Sequence, residues 1–259
     1  MSSVTARINK IKQPRGGYIK PSQFLVKELN DNNQMNDSEN IHVVIVGIVV
    51  DYLTRYMMGS DLISSFKISC QGAFMAEKLG YRNAIKEAKK YLLKIKGLNE
   101  QSIINACKLA TFDVWFRNPI GAMTAKTAAE TNPDFDTVEN IRIMVERSIA
   151  FLKEYGPIIK DHFTFEEDGY TETVDSGDGD FLTEDTLWDF KVSKNAITNK
   201  HTLQLLMYWI MGQHSGKIEF RQIRKLGIFN PRLNFVYTLD VESISPDIIK
   251  MVESDVICY

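Results

Sequence analysis

Two aspartates and a lysine lie close together in one short stretch of the chain. Asp180 is followed nine residues later by Asp189, and Lys191 stands two residues beyond that. Side chains alternate along a β-strand, so Asp189 and Lys191 would point to the same face of a shared strand. If Asp180 lies on the neighbouring strand, its carboxylate can approach that of Asp189. The spacing predicts a carboxylate pair with an ammonium group beside it.

Such a group of side chains has the residue types needed for phosphodiester hydrolysis. Two close carboxylates repel each other unless a cation neutralises them. Oxygen ligands with open positions suit Mg²⁺ or Mn²⁺, which can activate water and polarise a phosphoryl oxygen. Lys191 could orient or deprotonate that water and stabilise charge on the phosphate. The alternatives are a simple hairpin turn at residues 177–179 and a surface ion pair between Asp189 and Lys191.

A second pair of polar residues follows in the next helical segment. Gln204 and Tyr208 are four residues apart, so they share one face of a helix. Apolar neighbours such as Leu206 and Met207 would pack that helix against a core. By itself the pair is also compatible with a buried tyrosine beside a hydrogen-bonded glutamine.

The elements around these residues alternate between helix and strand. Apolar residues recur at helical spacing from Val138 to Leu152, with Asp136 as the expected N-cap and Gly156 as the end of the helix. Period-two alternation then predicts strands, and a turn is expected at residues 168–169. The expected later elements are strands at 162–166, 170–174, 180–183, 186–192, 223–229 and 235–241, a helix at 202–211 closed by Gly212, and a last helix capped by Ser245.

This order predicts a mixed α/β sheet covered by helices, preceded by polar and helical parts of the chain. We expect a basic and then polar segment at residues 1–40, a mostly helical region at 41–135, and an α/β core at 136–259. The apolar stretch that begins at Ile41 could be a buried helix or a strand that leads into a helix, because its β-branched run has no decisive period.

The composition excludes several classes of protein. The formal net charge is -2, so a polyanionic partner would need a local basic patch. The three cysteines form no CxxC pair, which excludes a four-cysteine iron–sulfur cluster and predicts reduced thiols. The start of the chain lacks the apolar stretch of a secretory signal, and no apolar run reaches the roughly 20 residues that span a bilayer. We therefore expect a cytoplasmic protein without a membrane partner.

The motif Gly177-x-x-Asp180, Asp189-Phe-Lys191 and Gln204-x-x-x-Tyr208 resembles that of the PD-(D/E)xK nuclease superfamily. It is most similar to the branch of the RecB-type nuclease domains and lambda exonuclease. The resemblance implies a restriction-endonuclease-like core of order αβββαβ. It also implies that Asp180 and Asp189 bind Mg²⁺ or Mn²⁺, that Lys191 is the catalytic lysine, and that Gln204 and Tyr208 support the site or contact DNA.

The same branch carries one more ligand on an earlier helix. RecB-like members have Gly-x-x-x-His there, and this chain has Gly47 followed by Asp51 at the same spacing. Asp51 is therefore favoured as a third metal ligand, with Arg55 as a supporting or DNA-binding residue. Glu146, on the helix before the first core strand, is the rival position. Asp51 could instead only form an i,i+4 ion pair with Arg55.

The resemblance implies a metal-dependent DNA nuclease of exonuclease type, acting in recombination, repair, phage replication or defence. The alternatives are a sequence-specific restriction-type endonuclease and a non-catalytic binding module for nucleic acid or protein. DNA is the expected partner, and a homo-oligomer or a recombination or replication partner protein is compatible with the family. The basic residues that could contact phosphates are Arg117, Lys194, Lys200, Arg221, Arg224 and Lys225.

Overall fold

The computed structural model describes residues 2–259 and divides the chain into two compact units. The first unit comprises the chain up to Asn30 together with Phe151–Tyr259, and the second is Asp31–Ala150. The expected boundaries at residues 40 and 135 differ from this division. The N-terminal segment belongs to the α/β unit, and the later boundary falls inside a long helix.

The first unit is built on a six-stranded mixed sheet with the order β1-β6-β5-β4-β3-β2. Strands β4 and β5 are parallel, and the other neighbours are antiparallel. This confirms the predicted α/β class with a mixed sheet. The strands are β1 (Leu25–Glu28), β2 (Lys160–Phe163), β3 (Gly179–Leu182), β4 (Thr186–Phe190), β5 (Lys225–Asn230) and β6 (Phe235–Asp240).

Twelve α-helices are assigned within residues 2–259, and a π-helical turn, Val252–Ile257, follows the last of them. None of these helices has the length and apolar content needed to cross a bilayer. The helices are α1 (Val4–Lys10), α2 (Val43–Met57), α3 (Leu62–Ser65), α4 (Lys67–Lys78), α5 (Ala84–Leu92), α6 (Glu100–Ala110), α7 (Asp113–Arg117), α8 (Pro119–Ala122), α9 (Phe135–Tyr155), α10 (Asn199–His214), α11 (Ile218–Arg221) and α12 (Pro246–Met251).

Strand β4 is buried on both faces because helices cover the sheet on each side. Trp188 lies in an aromatic layer with Phe151 from the last turns of α9, their ring centroids 4.9 Å apart. Leu187 points to the opposite face and packs in the larger core with Leu203 and Met207 of α10. Burying such side chains stabilises the fold by about 1.5–3 kcal/mol each. The alternation of β4 therefore directs Asp189 and Lys191 toward the α10 side.

The second unit is helical, as predicted for most of this part of the chain. The ambiguous apolar stretch forms helix α2, whose residues Val46, Val49, Val50 and Leu53 are fully buried. Their spacing of three, one and three residues matches one helical face. Tyr52 of α2 meets Phe66 edge to face, with ring centroids 5.3 Å apart.

Several predicted element boundaries are wrong, each for a local reason. Helix α9 begins at Phe135, and Asp134 rather than Asp136 accepts the capping hydrogen bond from the Thr137 N–H, at 2.9 Å. The helix ends at Tyr155, before Gly156, as predicted. The expected strand at residues 170–174 is instead a turn, because the side-chain oxygen of Thr171 accepts hydrogen bonds from the Thr173 and Val174 N–H groups.

Gly212 does not end the helix that carries Gln204, since α10 continues to His214. A Cβ at Gly212 would lie 2.3 Å from the ring of Phe220. The glycine is therefore needed for close packing and not for termination. Ser245 caps α12 as predicted, by accepting from the Asp247 N–H.

Candidate active site

Asp180 and Asp189 lie on adjacent antiparallel strands. Strand β3 pairs with β4 through Phe181 opposite Trp188 and Leu182 opposite Leu187. Continuing this register by one residue places Asp180 opposite Asp189, on the face covered by α10. Residues in such opposed pairs have Cβ atoms about 4.5–5.5 Å apart. The structure thus brings together the two carboxylates that the sequence predicted to be neighbours.

The carboxylate of Asp180 is held against the end of β4. Its Oδ2 accepts a hydrogen bond from the backbone N–H of Phe190, at 2.6 Å. Such a bond to a charged acceptor is stronger than a neutral one and orients the carboxylate. Asp180 is only partly buried.

Asp189 is the more deeply buried of the two, with 3% of its surface exposed. Its Oδ1 accepts a hydrogen bond from Nζ of Lys191 at 3.0 Å. Its Oδ2 lies 2.8 Å from the same nitrogen. Oδ2 is nevertheless fully buried and accepts no hydrogen bond of good geometry from any residue in 2–259. The charge of this oxygen is balanced by the nearby ammonium of Lys191, because a buried carboxylate needs a cation beside it.

The ammonium of Lys191 interacts with Asp189, Asp180 and Gln204. Burial opposes the charged form, but attraction to the carboxylates of Asp189 and Asp180 outweighs burial and raises the pKa of Lys191 above its ordinary value. Its Nζ also donates to Oε1 of Gln204, at 3.1 Å. The raised pKa makes this side chain a source of positive charge beside the two carboxylates.

Gln204 and Tyr208 continue the hydrogen-bond chain from Lys191 along helix α10. Nε2 of Gln204 donates to the hydroxyl oxygen of Tyr208 at 2.8 Å. Tyr208 is 4% exposed, and burial together with the negative charge of Asp189 raises the pKa of its hydroxyl. Phe165 packs against the tyrosine ring, with centroids 5.3 Å apart. The predicted helical pair therefore connects directly to Lys191.

His201 was not predicted from the sequence as a site residue, but it occupies the same helical face three residues before Gln204. Its Nδ1 accepts a hydrogen bond from the Thr198 N–H at 3.2 Å, in the capping turn of α10. Burial, and then the nearby positive charge of Lys191, lower the pKa of His201. The spacing of His201, Gln204 and Tyr208 was a signal that could have identified it.

The two earlier acids belong to the second unit. The carboxylate of Asp51 forms a two-pronged ion pair with Arg55, with both N–O distances 2.9 Å. Glu146 is exposed on α9. Within residues 2–259, no group of three or more acidic, histidine or cysteine side chains is arranged to bind a metal. The structure therefore brings together Asp180, Asp189, Lys191, Gln204 and Tyr208.

Several of the basic side chains that were predicted to contact phosphates already bind groups of the protein, and their partners differ. Nζ of Lys225 pairs with Asp185 at 2.9 Å, and Arg224 donates to the carbonyl of Arg221. Lys200 donates to Oδ1 of Asn9 at 2.8 Å. In the second unit, Arg117 lies 3.7 Å from Asp113.

A divalent cation fits the two carboxylates. Mg²⁺ is typically bound by one or two carboxylates and keeps several waters, so it does not need a cage of three protein ligands. Oδ2 of Asp189, which lies 2.8 Å from Nζ of Lys191, and the partly exposed carboxylate of Asp180 provide hard oxygen ligands of this kind. Comparison with known protein families, curated proteins and solved structures gives no match for this chain.

Proposed function

We propose that this protein is a Mg²⁺- or Mn²⁺-dependent DNA nuclease that hydrolyses phosphodiester bonds. The observation that supports the proposal is the opposition of Asp180 and Asp189 across β3 and β4, with Nζ of Lys191 touching the buried carboxylate. The resemblance of the same residues to the PD-(D/E)xK motif points to the same chemistry.

Each side chain has a distinct role in this proposal. Asp180 and Asp189 would hold the divalent cation, which supplies an activated water and neutralises charge on the phosphate. Lys191 presents its ammonium to the developing negative charge of the scissile phosphate. Gln204 positions that ammonium through the hydrogen bond to Nζ, and Tyr208 orients Gln204.

The test compares the wild-type protein with Lys191→Ala on linear and on closed circular DNA, in Mg²⁺, in Mn²⁺ and in EDTA. We expect cleavage by the wild type in either metal, none in EDTA, and a loss of at least about 100-fold in the variant, as for removal of one charge-stabilising donor. Lys250→Ala is the matched control, because Lys250 is an exposed lysine on α12.

The DNA form distinguishes the candidate activities. Cleavage of linear but not circular DNA identifies an exonuclease, and cutting of circles identifies an endonuclease. A folded wild-type protein that cuts neither DNA in either metal contradicts the proposal and supports a non-catalytic binding module on the same fold.

A further inference from the structure

We infer that the N-terminal residues 9–20, termed here the basic arm, bind the phosphate backbone of the DNA beside the active site. This inference rests on the proposed function and names the surface by which its substrate is held. The arm contains four exposed cations, namely Lys10, Lys12, Arg15 and Lys20.

The charge of this segment differs from that of the whole chain. Residues 1–27 include six of the 31 lysines and arginines but none of the 33 acidic residues. The formal net charge of the protein is nevertheless -2, so the positive charge is concentrated locally. A local patch of this kind attracts a polyanion that the whole molecule would not.

The start of the N-terminal segment is attached to the loop that leads to Asp180. Val4 donates its backbone N–H to the carbonyl of Ser176 at 2.9 Å, and Asp175 donates to the carbonyl of Ser2 at 3.2 Å. The side chain of Val4 also packs against Gly177, where a Cβ would approach within 2.8 Å. These contacts tie the segment to the approach to strand β3.

The end of the segment is attached to the first turn of α10. The buried hydroxyl of Thr202 donates to the carbonyl of Ile19 at 2.7 Å. Gly17 has a φ of +95° and packs so closely that a Cβ there would lie 2.6 Å from Cβ of Asn199. Gln204 follows in the next turn, and one turn of helix rises about 5.4 Å. The N-terminal segment that contains the arm is therefore attached near both of its ends to the elements that carry the site.

The cations of the arm are not used to stabilise the fold. Among residues 2–259, the side chains of Lys10, Lys12, Arg15 and Lys20 form no ion pair with an acidic group. Arg7 is different, because its guanidinium donates to the backbone carbonyls of Asp255 and Val256.

A group of exposed cations without ion-pair partners, on a segment attached to the elements of the proposed phosphodiesterase site, fits the DNA backbone. Contacts to phosphates fix the position of a DNA strand without reading its sequence. Each phosphate that a lysine or arginine neutralises releases a counterion. An acidic protein surface could also pair with these cations, but it would not explain their position beside residues suited to phosphate chemistry.

The test measures binding separately from cleavage. A labelled single strand of roughly 16 nucleotides and its duplex are titrated in EDTA, by fluorescence anisotropy, at several salt concentrations. Lys12→Ala/Arg15→Ala is compared with the wild type and with Lys153→Ala/Lys250→Ala, which also removes two exposed cations from the first unit. Lys12→Arg/Arg15→Lys keeps the charge and tests for a purely structural effect.

We expect the arm variant to bind about tenfold more weakly and to lower the slope of log K against log salt by about 1.4–1.8 units, the value for two lost phosphate contacts. The control pair and the charge-keeping pair should bind like the wild type. Equal affinity and slope for the arm variant and the wild type would overturn the inference, whether or not the protein cuts DNA. Weaker binding by the arm variant of a protein that never cuts DNA would support the surface and contradict only the nuclease proposal.

Discussion

Nζ of Lys191 donates a hydrogen bond to Oε1 of Gln204 over 3.1 Å, and so joins strand β4 to helix α10. The lysine, one residue beyond the end of β4, is also bonded to Asp189 on that strand. With contacts to two elements, the ammonium has little freedom to leave the carboxylates. Gln204 is therefore a positioning residue for the group proposed to stabilise phosphate charge.

We predict that Gln204→Ala lowers the rate of DNA cleavage by about 10–100-fold, the usual effect of losing a residue that orients a metal-site group. The fall should appear in kcat more than in KM, because Gln204 acts through Lys191.

Tyr208→Phe leaves Gln204 in place but removes its partner, so we expect a smaller loss of rate and a destabilisation of about 1–3 kcal/mol from the unpaired amide.

The measurements are steady-state kinetics and urea unfolding of both variants. A Gln204→Ala protein with unchanged kcat and a normal unfolding curve would show that the hydrogen bond to Lys191 has no role in positioning.

Metal binding should depend on Asp189 and Asp180 but not on the neighbouring Asp178. Saturating Mn²⁺ should raise the stability of the wild type, by about 2.7 kcal/mol at 100 times the dissociation constant. Asp189→Asn and Asp180→Asn should abolish most of this increase. Asp178→Asn is the control because that side chain is exposed in the loop just before β3. Thermal unfolding with and without Mn²⁺ provides the measurement, and an equal loss in all three variants would contradict the ligand assignment.

Gly227 should not tolerate a side chain, because it lies beneath the ring of Trp188. The two residues are paired across the parallel strands β4 and β5, and a Cβ at Gly227 would lie 2.3 Å from the indole. We predict that Gly227→Ala destabilises the protein by about 1–3 kcal/mol, as overpacking does.

A smaller side chain at Trp188 should relieve this clash. In a double-mutant cycle with Trp188→Leu, the alanine at Gly227 should cost markedly less than it does alone. Additive effects in urea unfolding would show that the ring is not the cause of the destabilisation.

Asp31 should make the second unit more stable above acidic pH. Burial acts to raise the pKa of Asp31, but hydrogen bonds from Arg147 and from the Asn33 N–H outweigh it and lower the pKa below the usual value. A lowered folded pKa contributes stability that is present above the unfolded pKa, about 3.9, and that is lost as the pH falls through the folded pKa. Asp31→Asn should remove this component, as measured by urea unfolding from pH 2 to pH 7. If the difference in the free energy of unfolding between the wild type and Asp31→Asn does not vary with pH, the lowered pKa of Asp31 is refuted.

Asp113 should have the opposite dependence on pH. Burial raises the pKa of its carboxyl, more than the hydrogen bonds from Ser69 and Tyr52 and the nearby Arg117 lower it. A raised folded pKa contributes stability that is fully present below the unfolded pKa, about 3.9, and is lost as the pH rises through the folded pKa. The stability of the wild type relative to Asp113→Asn should therefore fall with rising pH over this window, as followed by far-UV circular dichroism in urea. A relative stability that rises instead would contradict the direction of the shift.

The sequence alone determined the local part of the candidate site. Alternation along a strand places Asp189 and Lys191 on one face, and helical spacing places Gln204 and Tyr208 on one face, whatever surrounds them. Both relationships are seen in the structure. The α/β class follows from the same periodicities, summed over several elements.

Only the tertiary structure decided which distant segments meet. The turn at residues 170–174 is local, but the hydroxyl of Thr171 that forms it also donates to the carbonyl of Ile257, 86 positions later. The position of Asp180 opposite Asp189 depends on strand register, and the attachment of residues 2–20 to Ser176 and Thr202 depends on contacts between residues more than 170 positions apart in the chain. Periodicity reports which face of an element is buried, but not which partner buries it, because many partners offer the same apolar surface.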